Sequence, residues 1–271
     1  TKILYGANNP PPPSIICNLN LPGPVLGSVN HLKVRSYQMY NKTVIKSFLL
    51  SCVFTAFAVS AEPAMNLVTV NTQDTAGYVA WLKGSSKAIA NATNASTAGI
   101  CRPIAGAEEE GDLYVWFMAD SQQKLAAADP QSDAIMAEVA KITVKRTIKT
   151  RDIWRVVRTE GVASNNGGSF SAWNILVKTS DIGGYLNALN DLKSSMNENG
   201  LEDTVLNAFI ADTGKWAGMV MVSLQAPTGG RLGAAMDART SPWFTEALSD
   251  LQGIREYVHG WVMSCEVTYA E

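Results

Sequence analysis

Histidine and cysteine are scarce in this chain. Two histidines and four cysteines occur in 271 residues, with no CxxC pair. No Cys/His spacing of the kind that builds a zinc site is present, so no metal site is expected. A long apolar run is missing too. The most apolar stretch, Ser47 to Val59, is too short to cross a membrane as a helix. Neither sign of charge is in excess, since 22 basic and 24 acidic residues leave a net charge of −2. No global positive field would draw in nucleic acid or anionic lipid. What remains is an ordinary globular composition, 46% hydrophobic, with enough apolar material for a sizeable core.

The short apolar run has the flanks of an export signal. Met39 is followed by Lys42 and Lys46, then the run SFLLSCVFTAFAV, then the small residues Val59-Ser60-Ala61 and Glu62-Pro63. That order predicts a signal peptide over residues 39–61 and a periplasmic or secreted protein without a membrane span after processing. A buried core helix is the plainer alternative. Leu49-Leu50-Ser51-Cys52 also resembles a lipobox, but little of the apolar run precedes Cys52. Residues 1–38 begin with Thr1, hold the proline run Pro10 to Pro13 and show no helical or strand period. They are expected to be a disordered upstream segment, with Met39 as the true start. Removing residues 1–61 leaves one histidine, His259, and two cysteines, Cys101 and Cys265. An even cysteine pair in an oxidising compartment suggests one disulfide. Two buried free thiols are the alternative, since cysteine packs well as a small apolar residue.

The remainder is written twice. LVTVNTQDTAGYVAWLKGSSKAI, from Leu67, aligns without gaps on NILVKTSDIGGYLNALNDLKSSM, from Asn174. Asp74 then falls on Asp181, Gly77 on Gly184, Tyr78 on Tyr185 and Leu82 on Leu189. The repeat has the length of one small domain. Each copy opens on an apolar run of strand length, followed by Asp as a helix N-cap and apolar residues at helical spacing. Two strand-like runs follow in each copy: Thr97 to Ile104 with Leu113 to Met118, and Val205 to Ile210 with Ala217 to Leu224. A second helix comes next. It covers Ser121 to Lys141, with a break at Asp129-Pro130, and begins at Ser241-Pro242 in the second copy. A last strand closes each copy, Asp152 to Arg158 and Tyr257 to Tyr269. The domains are read as a first unit over 62–163, a polar linker over 164–169 and a second unit over 170–271. The order β-α-β-β-α-β makes each an α+β, ferredoxin-like unit whose bare sheet face needs a cover.

On this repeat and topology the chain resembles the dimeric α/β-barrel superfamily, which includes antibiotic-biosynthesis-monooxygenase-like and stress-responsive barrel domains. The resemblance covers nearly all of residues 66–271 and carries no specific short motif. It implies two antiparallel sheets packed together as one barrel, an intramolecular pseudo-dimer. In such barrels the second strand of one unit lies near the last strand of the other. The resemblance therefore implies a Cys101–Cys265 disulfide across the seam. Some members bind haem through a histidine, which would point to His259. Others work without a cofactor, in a pocket between helices and sheet.

Candidate pocket residues are Tyr78, Trp81, Trp116, Tyr185 and His259. Asn66 and Asn174 can supply further polar groups. Tyrosine and tryptophan also fill cores with one polar handle, and the matching Tyr78 and Tyr185 favour packing. His259 reads equally as a strand histidine with a satisfied hydrogen bond. The basic residues between Lys141 and Arg158 suggest a solvated strand edge, or a face for an anionic partner. Glu108 to Asp112 reads as an exposed acidic turn, and Thr228-Gly229-Gly230-Arg231 as a loop. Asn91-Ala92-Thr93 and Asn94-Ala95-Ser96 are glycosylation sequons. No catalytic set is recognisable. The expected function is binding of a small apolar ligand or an envelope protein partner without catalysis. The alternative is an oxygenase-like enzyme, cofactor-free or haem-dependent.

Overall fold

The computed structural model describes residues 61–163 and 168–271. The upstream segment and the predicted signal peptide, except Ala61, lie outside the described residues, as do residues 164–167 of the linker.

The first half runs β1 (Ala64–Asn71), α1 (Thr75–Ala92), β2 (Thr97–Ala105), β3 (Asp112–Ala119), α2 (Gln122–Ala126), α3 (Asp133–Val139) and β4 (Thr147–Arg158). The second runs β5 (Ser169–Thr179), α4 (Ile182–Glu198), β6 (Val205–Ala211), β7 (Val220–Ala226), α5 (Gly229–Asp237), α6 (Pro242–Ala247) and β8 (Arg255–Ala270). The strands close into one antiparallel barrel in the order β1-β3-β2-β8-β5-β7-β6-β4. Each half thus contributes four neighbouring strands. The seams are β2 on β8, where Cys101 sits opposite Cys265, and β4 on β6, where Trp154 sits opposite Ala211. No helix among the described residues is long and apolar enough to cross a membrane.

Strand alternation sorts the apolar residues into an inner and two outer layers. On β1, Val68 and Val70 face outward and pack with Tyr78, Leu82 and Ile89 of α1. Met65 faces inward, with Trp116, Trp154, Phe209 and Met263 from other strands. On the far side, Tyr185, Leu189 and Met196 of α4 cover Val177, Leu206 and Val222. The repeated Asp and Gly have one shared purpose. Asp74 accepts from the Gly77 N–H and Asp181 from the Gly184 N–H, each at 2.8 Å, and so caps the long helix of its half. The repeated tyrosine follows at once and anchors the helix to the sheet.

Four sequence expectations change. The basic segment is no edge, because β4 pairs with β1 on one side and β6 on the other. Part of its charge is met locally: Lys149 by Asp112 and Glu109, Arg155 by Asp212 and Glu62, Arg158 by Glu160. Asp112, at the end of the acidic turn, is buried against Lys149 rather than exposed. Thr228 to Arg231 opens α5, with the Thr228 hydroxyl accepting from the Arg231 N–H at 3.2 Å. Ser169, read as linker, is the first residue of β5. The expected break near Asp129-Pro130 is present, between α2 and α3.

Candidate functional site

The barrel is hollow. Inward side chains of the strands enclose a cavity of about 260 Å³. Its walls are mostly apolar and rich in tryptophan: Trp116, Trp154, Trp216 and Trp261, with Phe170 and Phe209. An apolar cavity of about 150 Å³ takes benzene, so this one accommodates a molecule of one to two rings. The space exists partly because small residues alternate with large ones. Ala172 faces inward on β5, and Gly99 lies opposite Trp116 in the β2–β3 ladder. A Cβ at Gly99 would collide with the Trp116 ring and with the Glu266 carbonyl. The bare backbone at Gly99 therefore fixes where the Trp116 indole can lie.

Polar groups are few and placed in three zones. At one end, Asn207 donates to the Gly161 carbonyl at 2.7 Å and accepts from the Glu160 N–H at 2.8 Å. Gln225 accepts from the Ala163 N–H at 3.2 Å. These bonds hold residues 159–163 along that end of the barrel. In the middle, the Trp154 N–H and the Asn174 carbonyl oxygen are buried without a partner among the described residues. Asn174 spends its amide on the Met221 sulfur, 3.4 Å away. At the other end stand Tyr114, Thr69 and Asp152. Burial, and then the charge of Asp112, push the Tyr114 hydroxyl well above the ordinary tyrosine range, so it stays protonated. Asp152 is raised above the usual carboxylate range by burial, against the opposing pull of Thr150 and Lys215.

The disulfide joins Cys101 to Cys265, and both residues line the cavity. It is thus a covalent staple between the halves and a piece of the inner wall.

A second cavity of about 250 Å³ lies outside the barrel, between the second half's sheet and its helices. Tyr185, Trp173, Phe244, Arg239 and Arg255 line it. The Arg239 guanidinium stacks 4.6 Å from the Trp173 ring centre and donates to the Met236 carbonyl at 2.8 Å. The Tyr185 hydroxyl is raised by burial and lowered by Arg255.

The five predicted pocket residues do not converge. Trp116 lines the barrel interior and Tyr185 the outer cavity. Tyr78 and Trp81 pack together under α1, ring centres 5.1 Å apart, and the Trp81 N–H donates to the Glu138 carbonyl at 3.0 Å. His259 lies toward one end of β8, its Nε2 2.8 Å from the Gly106 carbonyl and its ring edge against Trp261. It lines neither cavity. Sequence reading missed Trp154, Trp261, Phe209 and Asp152. The alternation along each strand marks them as sharing one face, but only barrel closure brings the faces together.

No family model and no curated protein matches this sequence. Solved structures do match the fold. One is described as a "putative monooxygenase" from Fusobacterium nucleatum subsp. nucleatum ATCC 25586. It is 13% identical, with 77% of this chain and 94% of that chain covered and a TM-score of 0.51. Another, described in the same words, comes from Lactobacillus acidophilus NCFM. It is 13% identical, with 77% and 95% covered and a TM-score of 0.52. The closed eight-stranded order and these matches agree: the chain has the dimeric α/β-barrel fold, with both ferredoxin-like halves supplied by one polypeptide.

Proposed function

We propose that the barrel interior binds a small, planar, mostly apolar molecule, and that the chain acts on it as an oxygenase-like enzyme. One observation carries the binding half. Trp154 and Asn174, which line the tryptophan-rich cavity, carry a buried indole N–H and a buried amide oxygen with no partner among the described residues. Each such group costs about 1–3 kcal/mol while unsatisfied, and a ligand that meets it recovers part of that cost. The reaction class is carried over from the two fold neighbours described as monooxygenases. At 13% identity that likeness is one of fold, so the reaction has its own test. Tryptophan fluorescence titrated with one- and two-ring phenols and quinols measures binding. Oxygen consumption with the same compounds measures turnover. Quenching together with oxygen uptake supports the enzyme. Quenching alone reduces the reading to a ligand carrier, and no quenching ends it.

Haem held by His259 does not fit this site. The His259 Nε2 is taken up by the Gly106 carbonyl, and the residue lines neither cavity. Export is a further part of the proposal, carried by the signal-like order of residues 39–61. The Cys101–Cys265 bond supports it, since disulfides persist in oxidising compartments. Signal-peptide cleavage near Glu62 in the exported protein, read by N-terminal sequencing, is the expected outcome.

A further inference from the structure

We infer that the molecule held in the barrel interior is a small aromatic amine in its cationic form, and that Asp152 is its counter-ion. This inference rests on the interior being the ligand site.

Asp152 lies on the inner face of β4, two residues before Trp154, and is 4% exposed. Among the described residues, no lysine or arginine nitrogen comes within salt-bridge distance of it. Arg151, the preceding residue, is exposed rather than turned inward with Asp152, and the other nearby cations are committed elsewhere. Lys215 pairs with Glu108 and lies 4.5 Å over the Trp216 ring. Arg155 pairs with Asp212 and Glu62, and Lys149 with Asp112 and Glu109. The β6–β7 turn closes over the carboxylate with bare backbone. Gly214 has φ +79°, and a Cβ there would collide with an Asp152 oxygen. Lys215 follows in the same turn and is felt by Asp152 through its charge, but its ammonium pairs with Glu108 and not with Asp152.

A carboxylate in such a place is costly unless it is protonated or paired. Burial raises its pKa even against the Thr150 hydrogen bond and the charge of Lys215, as expected of a carboxylate without an ion-pair partner. An apolar ligand would leave the cost standing, and an anionic one would add to it. An ammonium group removes it. The rest of the wall suits the same guest, because the faces of Trp116, Trp154, Trp216 and Trp261 attract cations as well as rings. Lys215 over Trp216 is the protein's own instance of that contact next to the site. The shape of the space sets the size, one or two rings.

The test uses the purified full chain and two probes of nearly equal size, 2-phenylethylammonium and 2-phenylethanol, followed by calorimetry and tryptophan fluorescence. The cation is expected to bind at least tenfold more tightly than the alcohol. Asp152→Asn should weaken the cation tenfold or more and leave the alcohol within about twofold. The comparison within the unmodified protein holds even if the variant folds poorly. Alcohol binding as tight as, or tighter than, amine binding overturns the charge assignment and leaves the interior site standing. Equal loss of both probes in Asp152→Asn likewise overturns the role of Asp152. Failure of both probes to bind the unmodified protein overturns this inference and the interior site together.

Discussion

Removing the Cys101–Cys265 bond should cost the barrel about 5 kcal/mol. The two cysteines are 164 residues apart, and they face each other across one of the two seams between the halves. The bond therefore closes a loop that contains most of both halves. A cross-link over a loop of that length removes about 17 cal/mol/K from the unfolded ensemble, which is about 5 kcal/mol at 25 °C. Both side chains are buried, so replacing them with alanine adds only a small packing loss. With a urea m-value near the upper end of the usual range, about 2–3 kcal/mol/M, the midpoint should fall by roughly 2 M. The assay is urea unfolding of the parent and of Cys101→Ala/Cys265→Ala, followed by far-UV circular dichroism. Amide exchange should also locate the change. Protection at the β2–β8 seam should drop before protection at the β4–β6 seam, which has no covalent link in either protein. A midpoint shift below 0.5 M, or equal loss at both seams, would refute the view that this bond staples the halves.

Three further outcomes follow from single residues. Tyr78 is pushed up to about 12 by burial, so its stabilising effect is full below pH 10 and disappears as pH rises through 12. That is about 2–3 kcal/mol of alkaline sensitivity, and Tyr78→Phe should flatten that part of the stability–pH curve; an unchanged curve contradicts it. The Lys193 ammonium is buried and donates to the Thr204 carbonyl at 2.6 Å and to Asn197 at 2.7 Å. Lys193→Met leaves those carbonyls unpaired and should lower stability by about 1–3 kcal/mol in thermal or urea unfolding; a variant as stable as the parent removes that role. Gly99→Ala should cost about 1–3 kcal/mol, because backbone and the Trp116 ring leave no room for a methyl group. It should also shift the Trp116 fluorescence, and a silent substitution would show that the ring is free to move.

The readable parts of the fold were local. Asp74 and Asp181 signal their helices because a short carboxylate at an N-cap reaches the backbone N–H three residues on. Tyr78 and Tyr185 mark the anchored face because they follow those caps at the same place in both copies. The pairing of Cys101 with Cys265 came from the superfamily topology, which sets β2 beside β8. What escaped were consequences of closure. The basic residues of β4 looked like edge protection, and a closed barrel has no edge. Thr228-Gly229-Gly230 looked like a loop because glycine is a poor helix former. The Thr228 cap and the burial of Leu232 and Ala235 outweigh that cost. Asp152 reads in the sequence only as the start of a strand, and its inward direction makes it part of a cavity wall. The predicted pocket residues scattered because aromatic residues at strand and helix spacing fill the inner and outer layers alike.

A crystal structure of the protein soaked with a bromine-tagged phenylethanol, with bromine located by its anomalous signal, tests the central claim most directly. The interior site predicts one strong bromine peak inside the barrel, bounded by Trp116, Trp154 and Phe209. A peak only in the outer cavity beside Tyr185 and Arg239, or no peak at all, would contradict it.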